Sequence, residues 1–340
     1  MRPTVHDIAD HAGVSLATVD RVLNRRPGVR AATRARVEAA IETLGYVRDV
    51  AAANLAKGRV YPFTFILPSS DNSFMHELHD ELRHAMARSA SERTNIRIVE
   101  VPAFEPTALI AALAEARDTQ PAGIALVAVE DEGVRAAIDA IAAEGIPVVT
   151  LVSDLPGSRR AHYAGVDNIA AGRTAGGLIG RFLRGRAGKI GVLAGSMLVR
   201  DHRERLEGFS VVLAADYPGL AILPVREGRD DPDVARAAVA GLMAEHPGLL
   251  GIYSLGAGNR GLIAALKARP DIRPVVIAHE LTAFTRAALS EGLIDAVLNQ
   301  DAGHEIRSAI RVLKAKADGV PVIAAQERIR IDIFLKDNLP

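Results

Sequence analysis

Polar and aromatic side chains recur just past short apolar runs: Asn72 and Phe74 follow one, Ser153 and Asp154 another, and Arg203, Glu280 and Gln300 come later. If the runs are parallel strands, these residues stand at carboxyl ends, where α/β sheets gather ligand groups. A carboxylate accepts hydroxyl hydrogens, a guanidinium donates to oxygens, and a phenyl ring stacks on the C–H face of a sugar. The set therefore suits a neutral polyol. Nothing pairs a nucleophile with a plausible base, so no catalytic residue is expected. The absence of Cys removes thiol nucleophiles, disulfides and cysteine zinc sites. His76 and His79 share a helix face but lack the accompanying Glu of a His-Glu-x-x-His site, so neither metal nor cofactor is expected. Gly256-Ala257-Gly258-Asn259-Arg260-Gly261 fits the bare Gly-x-Gly-x-x-Gly pattern, with Glu280 as a nominal acid further on. It leaves a nucleotide-dependent α/β enzyme as an alternative.

A second group of exposed side chains lies near the N-terminus. Thr4 can cap a helix beginning at Val5, with Asp7 completing an acidic capping box, and Gly13 ends it. Ser15 can cap a second helix, Leu16 to Asn24, which buries Val19, Val22 and Leu23 and leaves Leu16, Ala17, Thr18 and Arg21 outward. The tight break at Gly13-Val14-Ser15 is that of a helix-turn-helix. The amides and dipole at a Ser-capped helix end also attract phosphate. A third helix follows Arg30, with Val37, Ala40, Ile41 and Leu44 at helical spacing, and closes at Gly45. Residues 49–58 read as one short helix with too few large apolar groups to stand alone. Residues 1–60 hold ten bases and six acids, net +4, which leaves −4 on the remainder of a formally neutral chain. A basic head on a slightly acidic body fits a nucleic-acid module joined to something else.

The run from Thr4 to Asn24, continued by Arg34 to Leu44-Gly45-Tyr46, resembles the head of lactose-repressor (LacI) family regulators. The resemblance implies that the second helix enters a major groove and that residues matching Leu16, Ala17 and Arg21 meet base edges. It also implies that the short linker helix orders in the minor groove, with Leu55 wedged at a base step. On this basis the DNA-facing set is Thr4, Ser15, Leu16, Ala17, Thr18, Arg21, Asn24, Arg30 and Leu55. Asp20 departs from the Ser common in that family and would repel phosphate unless it pairs with a base.

Strands must place the first group of residues. From Phe63 onward, apolar runs alternate with helices of ten or more residues, which predicts parallel, doubly wound sheets. Aromatic content of 4% with no Trp suits close helix–strand packing. The fold expected is an all-α helix-turn-helix head plus an α/β body of two Rossmann-like lobes. The divisions are 1–47, a hinge over 48–60, and a body over 61–340. Lobe 1 takes about 61–160 plus 290–325, and lobe 2 about 161–290 plus the C-terminal segment. This body resembles the type I periplasmic binding protein fold, in its ribose-binding-like branch. Asn72-Ser73-Phe74 is similar to that branch's Asn-Pro-Phe segment, and Arg203-Glu204-Arg205-Leu206-Glu207-Gly208-Phe209 to its arginine-bearing helix start. The resemblance implies Arg203 as ligand arginine, Glu280 as late acid, Gln300 as ligand amide, and Asp154 near another acidic position.

The expected function is a cytoplasmic, sequence-specific transcription regulator, a repressor released by a monosaccharide or polyol. It would bind a near-palindromic double-stranded operator as a homodimer without membrane contact. There is no signal-like apolar N-terminus and no further heptad helix at the end of the chain. A transport receptor sharing the body fold would leave the basic head unexplained.

Overall fold

The computed structural model describes residues 3–24, 26–46, 54, 58–256 and 258–340. The expected linker helix with Leu55 thus falls, apart from Asn54 and Gly58, outside the described residues. The chain divides into two compact units, Met1–Arg59 and Val60–Pro340.

The head contains α1 (Val5–Ala12), α2 (Leu16–Leu23) and α3 (Ala31–Leu44). Thr4 accepts from the Asp7 amide at 3.4 Å while the Thr4 amide donates to the Asp7 carboxylate at 2.7 Å. Hydrogen bonds from the Thr4 amide and hydroxyl hold the Asp7 pKa below its ordinary value. Gly13 and Gly45 take left-handed backbone at the ends of α1 and α3, where a side chain is disfavoured. Ile8, Ala9, Ala12, Val19, Val22, Val37 and Ala40 form the core, one apolar stripe from each helix.

The body runs β1 (Tyr61–Ser69), α4 (Ser73–Ala87), α5 (Ser89–Glu92), β2 (Thr94–Pro102), α6 (Pro106–Asp118), β3 (Gly123–Leu126), α7 (Glu132–Ala143), β4 (Val148–Leu151) and β5 (His162–Ala164). It continues α8 (Asn168–Phe182), β6 (Gly188–Ala194), α9 (Arg200–Asp216), β7 (Leu220–Ile222), β8 (Arg226–Glu227), α10 (Pro232–Glu245) and β9 (Gly251–Ser254). Last come α11 (Asn259–Ala268), β10 (Val275–His279), α12 (Ala283–Ser290), β11 (Ala296–Asn299), α13 (Ala302–Asp318) and β12 (Asp332–Phe334). The first sheet is ordered β2-β1-β3-β4-β5, and every pair is parallel. The second is ordered β12-β11-β10-β9-β6-β7, parallel except for β12 at the edge, with β8 also pairing β6. Both sheets thus reverse direction after their first strand, between β1 and β3 and between β6 and β9. At such a switch point the loops diverge and leave a crevice. β3, β4 and β9 are buried along their whole length, because helices cover both faces.

The lobes exchange chain differently from the sequence expectation. Strand β11, inside the span 290–325 assigned to lobe 1, pairs with β10 in the second sheet. The connection from α12 is too short to carry the strand anywhere but beside β10. The return to the first lobe comes only at α13, whose Ile306, Ala309, Ile310 and Leu313 share a core with Phe63 and Phe65. Likewise β5, past the expected limit at 160, still pairs with β4.

In the second lobe, α8 and α9 touch backbone to backbone. A Cβ on Gly172 would lie 1.9 Å from the Arg205 carbonyl oxygen, and one on Gly208 2.1 Å from that of Ile169. Neither neighbour is a flexible side-chain end, so the helices would have to part. Gly172→Ala or Gly208→Ala is expected to cost about 1–3 kcal/mol in denaturant unfolding. Gly177→Ala, on the same α8 but with nothing near its Cβ position, should instead gain roughly 0.5–1 kcal/mol from helix propensity.

Candidate functional site: an interlobe cleft and an exposed helix face

A cavity enclosing about 700 Å³, including its mouth, opens at the carboxyl ends of both sheets. Of the residues anticipated from sequence, Asn72, Phe74, Ser153, Glu280 and Gln300 line it. Arg203 and Asp154 do not.

Arg205 forms the polar floor. It is fully buried, with Nε donating to Asn168 Oδ1 at 2.8 Å and Nη1 to the Leu255 carbonyl at 2.6 Å. Nη2 lies 3.7 Å from Glu280 Oε1 and has no hydrogen-bond partner in the protein. Burial works against its charge, but Asp201 and Glu280 outweigh burial and keep its pKa above the ordinary value. Arg203, the sequence-based choice, is exposed and ion-pairs with Glu130 of the other lobe. The correction follows from helical period. Asp201, Arg205, Phe209 and Val212 recur on the buried face of α9, and Arg203 sits about 200° round from Arg205. The signal was available in Gly208-Phe209, whose required inward packing fixes the face.

Glu280 follows β10 in left-handed backbone, φ 68°. Bonds from its amide to the Leu298 carbonyl (2.8 Å) and from the Thr285 hydroxyl to its own carbonyl (2.6 Å) hold that conformation. Such strain in a residue with a Cβ costs of order 1–3 kcal/mol and concentrates at functional positions. Glu280 Oε1 accepts from Gln300 Nε2 at 2.9 Å, which leaves Gln300 Oε1 without a partner. Burial pushes the Glu280 carboxyl up to about 7, against the opposing pull of Arg205 and Gln300.

Asp201, His202 and Asp230, all in the wall, were not anticipated. His202 Nδ1 lies 2.8 Å from the Ser196 carbonyl and 3.4 Å from the Ser196 amide, and Nε2 faces Asp201 at 3.7 Å. Asp230 is raised in pKa by burial. Its Oδ2 accepts from Asn72 Nδ2 at 3.3 Å across the cleft, while Oδ1 is buried and unpartnered. These residues sit on a helix start and in an irregular loop, where no strand-end pattern marks them.

Asn72 caps α4, accepting from the Phe74 amide at 2.9 Å, so both ends of its amide are engaged. Ser153 Oγ accepts from the Arg200 amide of the opposite lobe at 3.2 Å. Asp154 turns away. It accepts from Thr150 Oγ1 at 2.7 Å and the Leu155 amide at 2.8 Å, and it pairs with Arg160. Its neighbour Arg160 spends the carboxylate on holding the β4–β5 loop.

The glycines of the Gly256–Gly261 segment have packing reasons. Gly256 and Gly258 have φ of 146° and 84°, and a Cβ on Gly261 would lie 2.3 Å from the Pro232 carbonyl oxygen. Glu280 faces Arg205 and Gln300, which is not the place of a ribose-binding acid.

On the head, Leu16, Ala17 and Arg21 are exposed on one side of α2, and Thr18 is half-buried. Ser15 Oγ accepts from the Thr18 amide at 3.3 Å. Asp20 is engaged by Asn24 Nδ2 at 2.6 Å and by Arg26 at 3.3 Å, which offsets its charge locally. Thr4 and Arg30 are exposed, the latter just before α3.

Residues 63–321 match the family described as periplasmic binding protein domain, and residues 4–49 that described as bacterial regulatory proteins, lacI family. The chain belongs to the periplasmic-binding-protein domain family and carries a lacI-family DNA-binding domain at its head. Catabolite control protein A of Priestia megaterium is 41% identical over 78 residues, 23% of this chain and 24% of that protein. The HTH-type transcriptional regulator MalR of Streptomyces coelicolor is 42% identical over 88 residues, 26% of this chain and 25% of that one. The matches thus span about a quarter of these relatives' length. Among solved structures, a glucose-galactose binding protein from Geobacillus stearothermophilus shares the body fold. Its TM-score is 0.74 at 20% identity, covering 83% of this chain and 99% of that one.

The raised Glu280 carboxyl gives a pH test. The folded state holds its proton more tightly than the unfolded chain, so its contribution is fully present below about 4.5 and is lost as pH rises through about 7. From pH 5 to pH 8 the thermal midpoint of Glu280→Gln should gain roughly 2–4 °C on the unmodified protein. A constant difference would place the Glu280 pKa near its ordinary value.

Proposed function

We propose that the protein is a sequence-specific transcription regulator rather than an enzyme, and that a neutral sugar or polyol in the cleft sets its affinity for DNA. The observation that carries this reading is that three residues lining the cavity each bury a polar atom without a hydrogen-bond partner in the protein: Arg205 Nη2, Gln300 Oε1 and Asp230 Oδ1. Leaving such groups unsatisfied costs about 1–3 kcal/mol each. Hydroxyls, which donate to one partner and accept from another, satisfy all three. An anion would meet Glu280, Asp230 and Asp201. The relatives named as transcriptional regulators and the sugar-binding structural neighbour point the same way.

The mechanism we propose is a cytoplasmic homodimer on a near-palindromic operator, each head in one half-site. Arg21 donates to a guanine edge, Leu16 and Ala17 meet base methyls, and Thr4, Ser15, Thr18, Asn24 and Arg30 hold phosphates or the register. Leu55 enters the minor groove. Ligand bridges the lobes and changes their angle, hence the spacing of the linkers, and releases the operator.

Two measurements test the halves. In a selection from random duplexes, Arg21→Ala should relax preference at one base pair in each half-site, worth roughly 1–3 kcal/mol. Equal weakening on every sequence would remove its role in base reading. By calorimetry with the sugar identified in a thermal-shift screen, Arg205→Ala should lose at least tenfold in affinity. Arg203→Ala should stay within about threefold, since its guanidinium faces Glu130. The reverse order would reinstate Arg203 as the ligand arginine.

A further inference from the structure

The cavity is chemically lopsided. Most of its charged and amide groups, Asp201, His202, Arg205, Asp230, Glu280 and Gln300, come from the second lobe, with Gln300 just after β11; the first lobe adds Asn72 and Glu105. The first-lobe wall is built from Phe74, Val101, Phe104, Leu109, Val127 and Val129, with further small apolar residues between them. The polar side chains on that wall are largely committed: Asn72 to the Phe74 amide and Asp230, Ser153 to the Arg200 amide, while Glu105 is exposed to solvent. Phe104 adds an independent sign. Its backbone is left-handed, φ 61°, a conformation disfavoured for an aromatic residue, and the residue lines the cavity.

A sugar with a hydroxyl on every carbon would satisfy the second lobe and turn its remaining hydroxyls onto apolar wall. Each buried hydroxyl without a partner there is unfavourable, whereas a methyl, methylene or ring in its place gains from leaving water. From this division, and resting on the reading of the cleft as a polyol site, we infer that the effector is an amphiphilic sugar derivative. Its hydroxylated face lies on Arg205, Asp230 and Gln300, and an alkyl or aryl substituent, as in a glycoside with an apolar aglycone, lies against Phe104, Leu109 and Val127. Phosphorylated sugars are disfavoured in the same site, because two of the donor nitrogens of Arg205 are already bonded to the protein, the third faces Glu280, and Asp201 and Asp230 add further acids to the cavity wall.

The test is calorimetry on the full-length protein with matched compounds. Glucose, galactose, xylose and arabinose are each compared with their methyl and phenyl glycosides in both anomers, and glucose and galactose also with their 6-phosphates. For at least one stereochemistry a glycoside should bind tenfold or more tightly than the free sugar, and the phosphates more weakly than either. In Val127→Thr and Val101→Thr, which put a hydroxyl on the apolar wall with little change of shape, the ratio of glycoside to free-sugar affinity should fall at least threefold. Measuring both variants guards against one that folds poorly. Free sugar binding as tightly as every glycoside, or a phosphate binding best, overturns the amphiphilic assignment and leaves the polyol reading standing. Binding by none of the compounds overturns both.

Discussion

A single buried guanidinium organises the interlobe cleft of the body. Arg205 is held on two sides by Asn168 and Leu255, and its third side is turned toward Glu280 and the cavity. A charge removed from water is tolerable only when it is bonded and balanced. Glu280 supplies the balance from a strained backbone position, and in the proposed complex a ligand hydroxyl would supply the remaining acceptor. The packing of α8 on α9 over glycine brings Arg205 near Asn168, so the ligand floor depends on residues that have no side chains. Asn168 Nδ2 in turn donates to Tyr163, whose hydroxyl donates to the Val152 carbonyl at 2.7 Å. That chain of bonds runs from the floor to the first-lobe strands, where the backbone crosses between lobes.

Polar contacts bridge the two lobes across the cleft. Asp71 with Arg260, Asn72 with Asp230, and Glu130 with Arg200 and Arg203 all reach across. The ion pairs among them, Asp71 with Arg260 and Glu130 with Arg200 and Arg203, are partly exposed and contribute modestly, about 0–1 kcal/mol each. On the proposed function, an effector would act at a distance by binding differently to open and closed arrangements of the lobes.

Much of this was legible in the sequence because periodicity and caps are local. Thr4, Ser15, Gly13 and Gly45 mark the head helices, and the alternation of apolar runs with helices marks the two sheets. Glu280 and Gln300 were readable because each directly follows a strand. Arg203 was mistaken for Arg205 since motif spacing alone does not say which face of α9 is inward; the period from Phe209 and Val212 does. Asp154 lies after a strand, but its neighbour Arg160 claims it, a pairing set by a turn six residues long. Asp201, His202 and Asp230 carried no strand-end mark, and Asp230 owes its position to left-handed backbone at Arg229 and itself. The placement of β11 depends on which sheet edge is open, a property of the assembled lobe.

The account stands or falls on coupling between cleft and duplex. The direct measurement is the effector Kd of the full-length protein taken alone and again with saturating operator, set beside the operator Kd with and without effector. Linkage requires that the two ratios agree, and the account predicts that both depart from unity by at least fivefold in the direction of mutual exclusion. Equal effector affinity with and without operator would contradict it.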